Sequence, residues 1–515
     1  MFHKSYLSGR INSLPIPVEL LTEVFKHLVA SEDPSLLAQQ PSLLACIGLT
    51  RVCRYWRDLV RDCPPLWTYI VVSSYTTTSL LRHCMHHSLN APQDVTMAIL
   101  PDVPTRLPAL EDNVGRIRTL QVCSAFHEDT LRRLFDKEMP MMLRLDIDAF
   151  QHLGSPISDL RSVDFVAPPC PSLRSLSVMF MHVYWRKSGL RALSSLKELS
   201  LDDCIDKSTL ITDVLDVLAA YSLLEDVELR NSLPLIKLGT LGQQRLVPMK
   251  NLVRLRLFEA PETIFHLLSH LQLREEADVF LGPMPTWEES RHDTPALRLR
   301  RLLPHDTTCL PILRGAVWIN INSNGTYWRQ VQINVLGQAG GSLAMSLDPF
   351  DVTQESILAD IVDVFAQSPV TRFRYHVNMK CHVFEEVWRA IFSTLPLIEH
   401  LRLFGCGSYT THALQVLSDT PEQLLLLPSL RTLGLACDWP RETAEALLGC
   451  LRSRAAQGAP KLSAQFRVET RRTRLGRAGD GPVDKALREL KQIMTCQELY
   501  TDVPVVYVRN GPESA

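Results

Sequence analysis

Near the start of the chain, Leu20, Leu21, Val24, Phe25 and Leu28 recur at steps of three and four. That spacing lays one apolar stripe along a helix of about three turns. Pro17 stands where the first helical residue belongs, and its missing N–H costs nothing there. Glu19 in the first turn and Lys26 and His27 in the last complement the helix dipole. The stretch SEDPSLLAQQPSLL, polar and twice interrupted by proline, reads as a loop. A second helical stripe begins near Leu43 and continues through Leu49, Val52, Cys53, Trp56, Leu59 and Val60, with Arg51, Arg54, Arg57 and Asp58 on the other faces. Asp62-Cys63-Pro64-Pro65 ends it, because two prolines cannot continue a helix. Leu66-Trp67 then leads into Tyr69-Ile70-Val71-Val72, a β-branched run suited to a strand.

After residue 100 the pattern changes. A phrase apolar-x-x-apolar-x-apolar recurs at Ile117–Val122, Met142–Ile147, Leu173–Val178, Leu196–Leu201, Leu224–Leu229 and Leu252–Leu257, and again at Ile398–Leu403 and Leu430–Leu435. Between middle positions the steps are 25, 31, 23, 28 and 28 residues, then a gap of 146, then 32. The gap has room for about five further units, with Val370-x-x-Phe373-x-Tyr375 a candidate for one. Helical stretches fall between phrases, at Leu210–Tyr221, Ile264–Leu271, Val383–Leu395 and Thr443–Arg454.

Two resemblances follow from these residues. Ile16-Pro17-x-Glu19-Leu20-Leu21, with Val24-Phe25 and Leu28, resembles the first half of an F-box. Val52-Cys53-Arg54-Tyr55-Trp56-Arg57-Asp58-Leu59-Val60, with Leu66-Trp67 after the prolines, resembles its second half. The likeness spans residues 14–72, with a loop at 31–41 longer than a minimal F-box has. It implies a small three-helix module that docks on a Skp-type adaptor, and through it on a cullin–RING ubiquitin ligase. The positions carried over to the adaptor contact and the module's interior are Ile16, Pro17, Glu19, Leu20, Leu21, Val24, Phe25, Leu28, Val52, Cys53, Trp56, Leu59, Leu66 and Trp67. Residues 100–450 resemble a divergent leucine-rich-repeat array, in which Cys204 and Cys406 stand just after strands where the usual consensus has asparagine. The expected fold class is therefore α/β: an F-box-like module, an irregular repeat solenoid, and an Arg-rich tail over 451–515 containing a short helix at 483–494 and a strand at 503–508.

Composition narrows the function classes. The formal charge of −2 offers no global field for nucleic acid or an anionic membrane. No run of 18 apolar residues predicts a membrane span, and the opening residues hold no signal-peptide core. Thirteen irregularly spaced cysteines do not read as a disulfide framework, which favours a cytoplasmic or nuclear setting; the sequon at Asn324 then has no role. His83-Cys84-Met85-His86-His87 lacks a second ligand pair at metal spacing. The glycines at 337, 340 and 341 lack a P-loop lysine and read as a loop. Asp146, Asp148, Asp202 and Asp203 read as solvated strand ends, and Arg471–Arg477 as an exposed segment. With no cofactor loop or nucleophile motif, the expectation is a non-enzymatic adaptor that binds a protein substrate through the repeats. A scaffold outside ubiquitination and an α/β enzyme are the alternatives.

Overall fold

The structure, a computed structural model, describes residues 17–30, 43–73, 76–98, 107–123, 128–149, 164–187, 189–204, 209–234, 245–284, 298–323, 331–347, 354–377, 383–405, 407–418, 425–437, 441–460 and 462–468. Ile16, Cys406, Asn324, the Arg471–Arg477 run and the expected tail helix and strand lie outside them. The molecule is mixed α/β with extensive sheet, and it divides into two compact units at Leu252/Val253.

The first unit opens with helices α1 (Val18–Ala30), α2 (Leu43–Val52) and α3 (Arg54–Arg61), then the 3-10 turn Pro64–Trp67. Seven parallel strands follow in sequence order: β1 (Tyr69–Val72), β2 (Gln93–Ala98), β3 (Ile117–Cys123), β4 (Arg144–Asp148), β5 (Ser175–Met179), β6 (Glu198–Asp202) and β7 (Asp226–Arg230). Helix α4 (Thr78–His87) connects β1 to β2, and α5 (Ile211–Ala220) connects β6 to β7. The sheet thus reaches back to Tyr69, ahead of the array expected from residue 100.

Each recurring phrase of this unit lies on or just before a strand, and its last two apolar positions are buried: Leu120/Val122, Leu145/Ile147, Leu176/Val178, Leu199/Leu201 and Val227/Leu229. Their register is continuous, with Leu145 opposite Leu176, Leu176 opposite Leu199 and Leu199 opposite Val227. Alternation along a strand sends the intervening polar residues to the opposite face. Cys204 acts at the edge of this ladder. Its thiol donates to the Val178 carbonyl at 3.2 Å and the Asp202 carbonyl at 3.3 Å, while its N–H donates to Ser232 Oγ at 3.1 Å. Burial above all pushes the pKa of this thiol up to about 12.

The second unit begins with parallel strands β8 (Arg254–Phe258) and β9 (Asp278–Leu281), with helix α6 (Pro261–His270) between them. Strands β10 (Ala316–Ser323), β11 (Val331–Gly337) and β12 (Ser342–Leu347) then form an antiparallel meander, entered from β9 through β12. Parallel order resumes from β10 through β13 (Arg372–Val377), β14 (His400–Gly405), β15 (Thr432–Cys437) and β16 (Ser463–Val468). Helices α7 (Gln354–Phe365), α8 (Glu385–Thr394), α9 (Gly407–Ser418) and α10 (Arg441–Ala456) lie in the connections.

Among the described residues, the 146-residue gap is interrupted by an antiparallel meander rather than filled by successive parallel strands alone. Among its described residues it holds β9, the meander and β13; β13 carries the anticipated Phe373 and Tyr375, both buried. The glycine cluster is the β11–β12 turn: Gly337 N–H donates to the Gly341 carbonyl at 2.9 Å, and Gly340 sits at φ 97°. A Cβ on Gly341 would lie 2.2 Å from the Glu275 carbonyl oxygen, so only glycine lets the turn approach that backbone.

Candidate functional site

Helix α1 divides the single stripe expected from its sequence into two. Leu21 and Phe25, four residues apart, turn inward and are 6% and 0% exposed. Leu20, Val24 and Leu28, the neighbouring row at the same spacing, stay 58%, 52% and 49% exposed. Rows at i, i+4, i+8 run nearly parallel to the helix axis, so one helix can offer an apolar row to its own core and another to solvent. Pro17 and Glu19 are exposed at its start.

The inward row meets α3 and the 3-10 turn. Phe25 packs edge-on against Trp56 with ring centroids 4.7 Å apart. Cys46, Leu49, Val60, Leu66 and Trp67 complete the core. Trp67 Nε1–H donates to the Val60 carbonyl at 2.7 Å, and Cys46 Sγ donates to the Leu66 carbonyl at 3.0 Å. Trp67 also stacks on His87, with centroids 5.0 Å apart, and meets His83 edge-on at 5.2 Å. The histidines that hinted at metal thus meet one another edge-on, His83 with His87 and His86 with His87, beside this tryptophan. Among the described residues no group of three or more His, Cys, Asp or Glu is arranged to hold a metal ion.

The expected second helix is not continuous. It breaks at Cys53, whose backbone is extended (φ −156°, ψ 172°) and whose thiol accepts from Trp56 N–H at 3.4 Å, capping α3. The break turns the α2–α3 junction outward and leaves Val52 52% and Tyr55 41% exposed. Of the fourteen positions singled out, Pro17, Glu19, Leu20, Val24, Leu28 and Val52 lie at the surface. Trp56, Leu59 and Cys53 are half-buried; Leu21, Phe25, Leu66 and Trp67 are interior. The interior four support the surface rather than form it. Tyr55 and Val18, both exposed, were missed by the sequence reading, although Tyr55 adjoins the motif tryptophan.

Such a surface is costly to leave wet: burying one leucine or valine side chain gains roughly 1.5–3 kcal/mol. The surface is apolar along α1 and carries Glu19 and the Glu23–Lys26 ion pair (2.6 Å) on the same helix. Among the described residues no helix is long and apolar enough to cross a membrane.

Comparison with known proteins agrees with this segment. The F-box-like family matches residues 14–73, so the chain carries an F-box-like domain there. No curated protein matches the chain in sequence. Among solved structures, the chain is similar to the Rad7 and Elc1 complex of yeast at 10% identity, over 81% of this chain and 88% of that one, with a TM-score of 0.28. It is also similar to the leucine-rich-repeat-containing protein LegL7 of Legionella pneumophila at 11% identity, over 80% and 99%, with a TM-score of 0.22.

Proposed function

We propose that this chain is a non-catalytic substrate-recognition subunit of a Skp–cullin–F-box type ubiquitin ligase, acting in the cytoplasm or nucleus. Its F-box-like module binds the Skp-type adaptor, and the strand-and-helix array, read as divergent leucine-rich repeats, holds a protein substrate. The observation that carries the reading is the exposed apolar row Leu20–Val24–Leu28 on a helix whose neighbouring row is fully used for its own core, within the segment matched as F-box-like. A helix folded around one row gains nothing internally from the second; a partner does. The adaptor links the chain to the ligase, whose contribution is proximity: a substrate lysine held near a charged ubiquitin carrier reacts at high effective concentration.

The test is capture of purified Skp-type adaptor by the full chain. A Leu20→Asp/Val24→Asp variant is expected to lose capture while keeping the wild-type circular-dichroism spectrum and melting temperature. Undiminished capture by that variant, or no capture by folded wild type at micromolar concentration, overturns the reading.

A further inference from the structure

The second unit has a groove of about 690 Å3 on the sheet face opposite its helices, within the roughly 300–1,000 Å3 of small-ligand sites. Tyr375 marks the helix side, meeting Trp388 of α8 at 5.5 Å and Tyr409 of α9 at 5.3 Å. Its strand neighbour Arg374 alternates to the groove face. Trp318 of β10 stands between Leu336 of β11 and Arg372 of β13; further along β10, Asn320 stands opposite Arg374. The β11–β12 turn bounds the groove at Gly337 and Gly340. That turn is held in place, because Gln338 N–H donates to the Gly315 carbonyl at 2.8 Å.

The cations of this face differ in what they lack. Arg372 is exposed and solvated, and Arg402 has contacts of its own. Arg374 is half-buried, its guanidinium sits over the Phe404 ring at 4.9 Å, and its Nε is buried without a hydrogen-bond partner. Burial, and then the charge of Arg402, hold its pKa below the ordinary 12.5. No carboxylate lines the groove among the described residues. On the adjoining strand Asn320, only 9% exposed, has an amide oxygen buried without a partner. An unmatched donor and an unmatched acceptor thus stand on paired strands, whose backbones run about 4.8 Å apart. Beside them Leu336 is 42% exposed next to Trp318, an apolar wall open to the groove.

These groups together fit a ligand that is a single anion, a hydrogen-bond donor and apolar within a small compass. One guanidinium fork matches one carboxylate. A phosphate dianion brings a second negative charge and no donor for the Asn320 oxygen. The end of a polypeptide chain carries all three features in one residue: the terminal carboxylate, the N–H of the last peptide bond and a side chain. We propose that this groove binds the C-terminus of a partner protein, with the carboxylate on Arg374, the last N–H directed to Asn320 Oδ1 and an apolar final side chain against Trp318 and Leu336. The proposal rests on the substrate-receptor reading, and it makes recognition depend on a free chain end rather than on an internal segment.

The test uses the full chain and short degenerate peptides, immobilised by their N-termini and ending in leucine, valine or phenylalanine. One pool has free C-terminal carboxylates and the other is amidated; inorganic phosphate and ATP are measured separately. Retention by the free-acid pool is expected, with amidation and Arg374→Gln each reducing it at least about tenfold. Arg374→Gln is also expected to abolish the difference between acid and amide. Arg374→Lys should restore only part of it, because an ammonium cannot form the fork. Equal retention by the two pools overturns the proposal. So does undiminished retention of Arg374→Gln with a wild-type melting curve, no retention of folded wild type by either pool, or Arg374-dependent binding of phosphate or ATP in place of peptide. Capture of the Skp-type adaptor, measured on the same preparations, is expected to be unchanged in both variants. Its failure in wild type strikes the receptor reading, while the acid-against-amide difference reports on the groove alone.

Discussion

At the scale of single residues, adjacent positions on α1 have opposite roles. Leu20 and Leu21 are chemically identical, yet one is exposed and the other interior. Truncating Phe25 to alanine empties a fully buried site against Trp56 and should cost about 3–5 kcal/mol, read as a lower denaturation midpoint. Leu28→Ala should leave that midpoint within about 0.5 kcal/mol, because its side chain is half exposed. Trp67→Phe keeps most of the ring's volume but removes the N–H bonded to Val60 at 2.7 Å, leaving that carbonyl only the longer 3.4 Å bond from Cys63 N–H; a loss of about 1 kcal/mol is expected by chemical denaturation. His83, beside the same tryptophan, is held below its ordinary 6.5 chiefly by burial, then by the charges of His87, Arg61 and His86. Below pH 6.5 the unfolded chain therefore binds this proton more readily than the folded one. The group costs no stability above 6.5 and an increasing amount as pH falls through its folded pKa. Melting curves at pH 7.5 and 5.5 should show a smaller acid loss for His83→Gln than for wild type.

At the scale of elements, the sequence was most legible where one periodicity served one purpose. The phrases ending in Leu145/Ile147 or Leu401/Leu403 landed on strands because both final apolar positions must face the same buried side. Two features escaped that logic. The division of α2 from α3 turns on Cys53, and a thiol cap is a weak signal beside serine or aspartate. The meander does not follow the leucine phrase, because Val331-x-Ile333-x-Val335 and Leu343-x-Met345-x-Leu347 alternate strictly with period two. The outward row of α1 was legible as apolar but not as exposed, since spacing alone does not say which of two adjacent rows a neighbour will cover. Among connections, Asp360 of α7 is 1% exposed and accepts from Leu299 N–H at 2.6 Å and Arg298 Nη1 at 3.0 Å. Asp360→Ala strands the buried Leu299 N–H, while the half-exposed Arg298 turns to water, and should lower stability by about 1–3 kcal/mol, measured by urea titration. In α10, Arg454 is 2% exposed and donates to the carbonyls of Leu426 and Leu427 at 2.8 and 3.0 Å, bracing a turn in which Leu427 holds a left-handed φ of 51°. Lysine cannot reproduce that fork, so the conservative exchange is costly here.

At the scale of the whole chain, a short F-box-like segment of helices precedes a long arrangement of mostly parallel strands. Each parallel strand can pair only after a crossover has been ordered, and each such closure costs chain entropy before it returns contacts. The β11–β12 turn is different: four residues, Gln338–Gly341, bring the two strands together. A hairpin of that kind closes in about 1–10 μs, well ahead of non-local pairings. The meander that interrupts the parallel order is thus the second unit's natural starting point in time. In pulse-labelled hydrogen exchange during refolding, the amides of Ile333 and Met345 should be protected before those of Leu401 and Leu433. The meander would then be the unit's nucleus, from which parallel order spreads toward β8 on one side and β16 on the other.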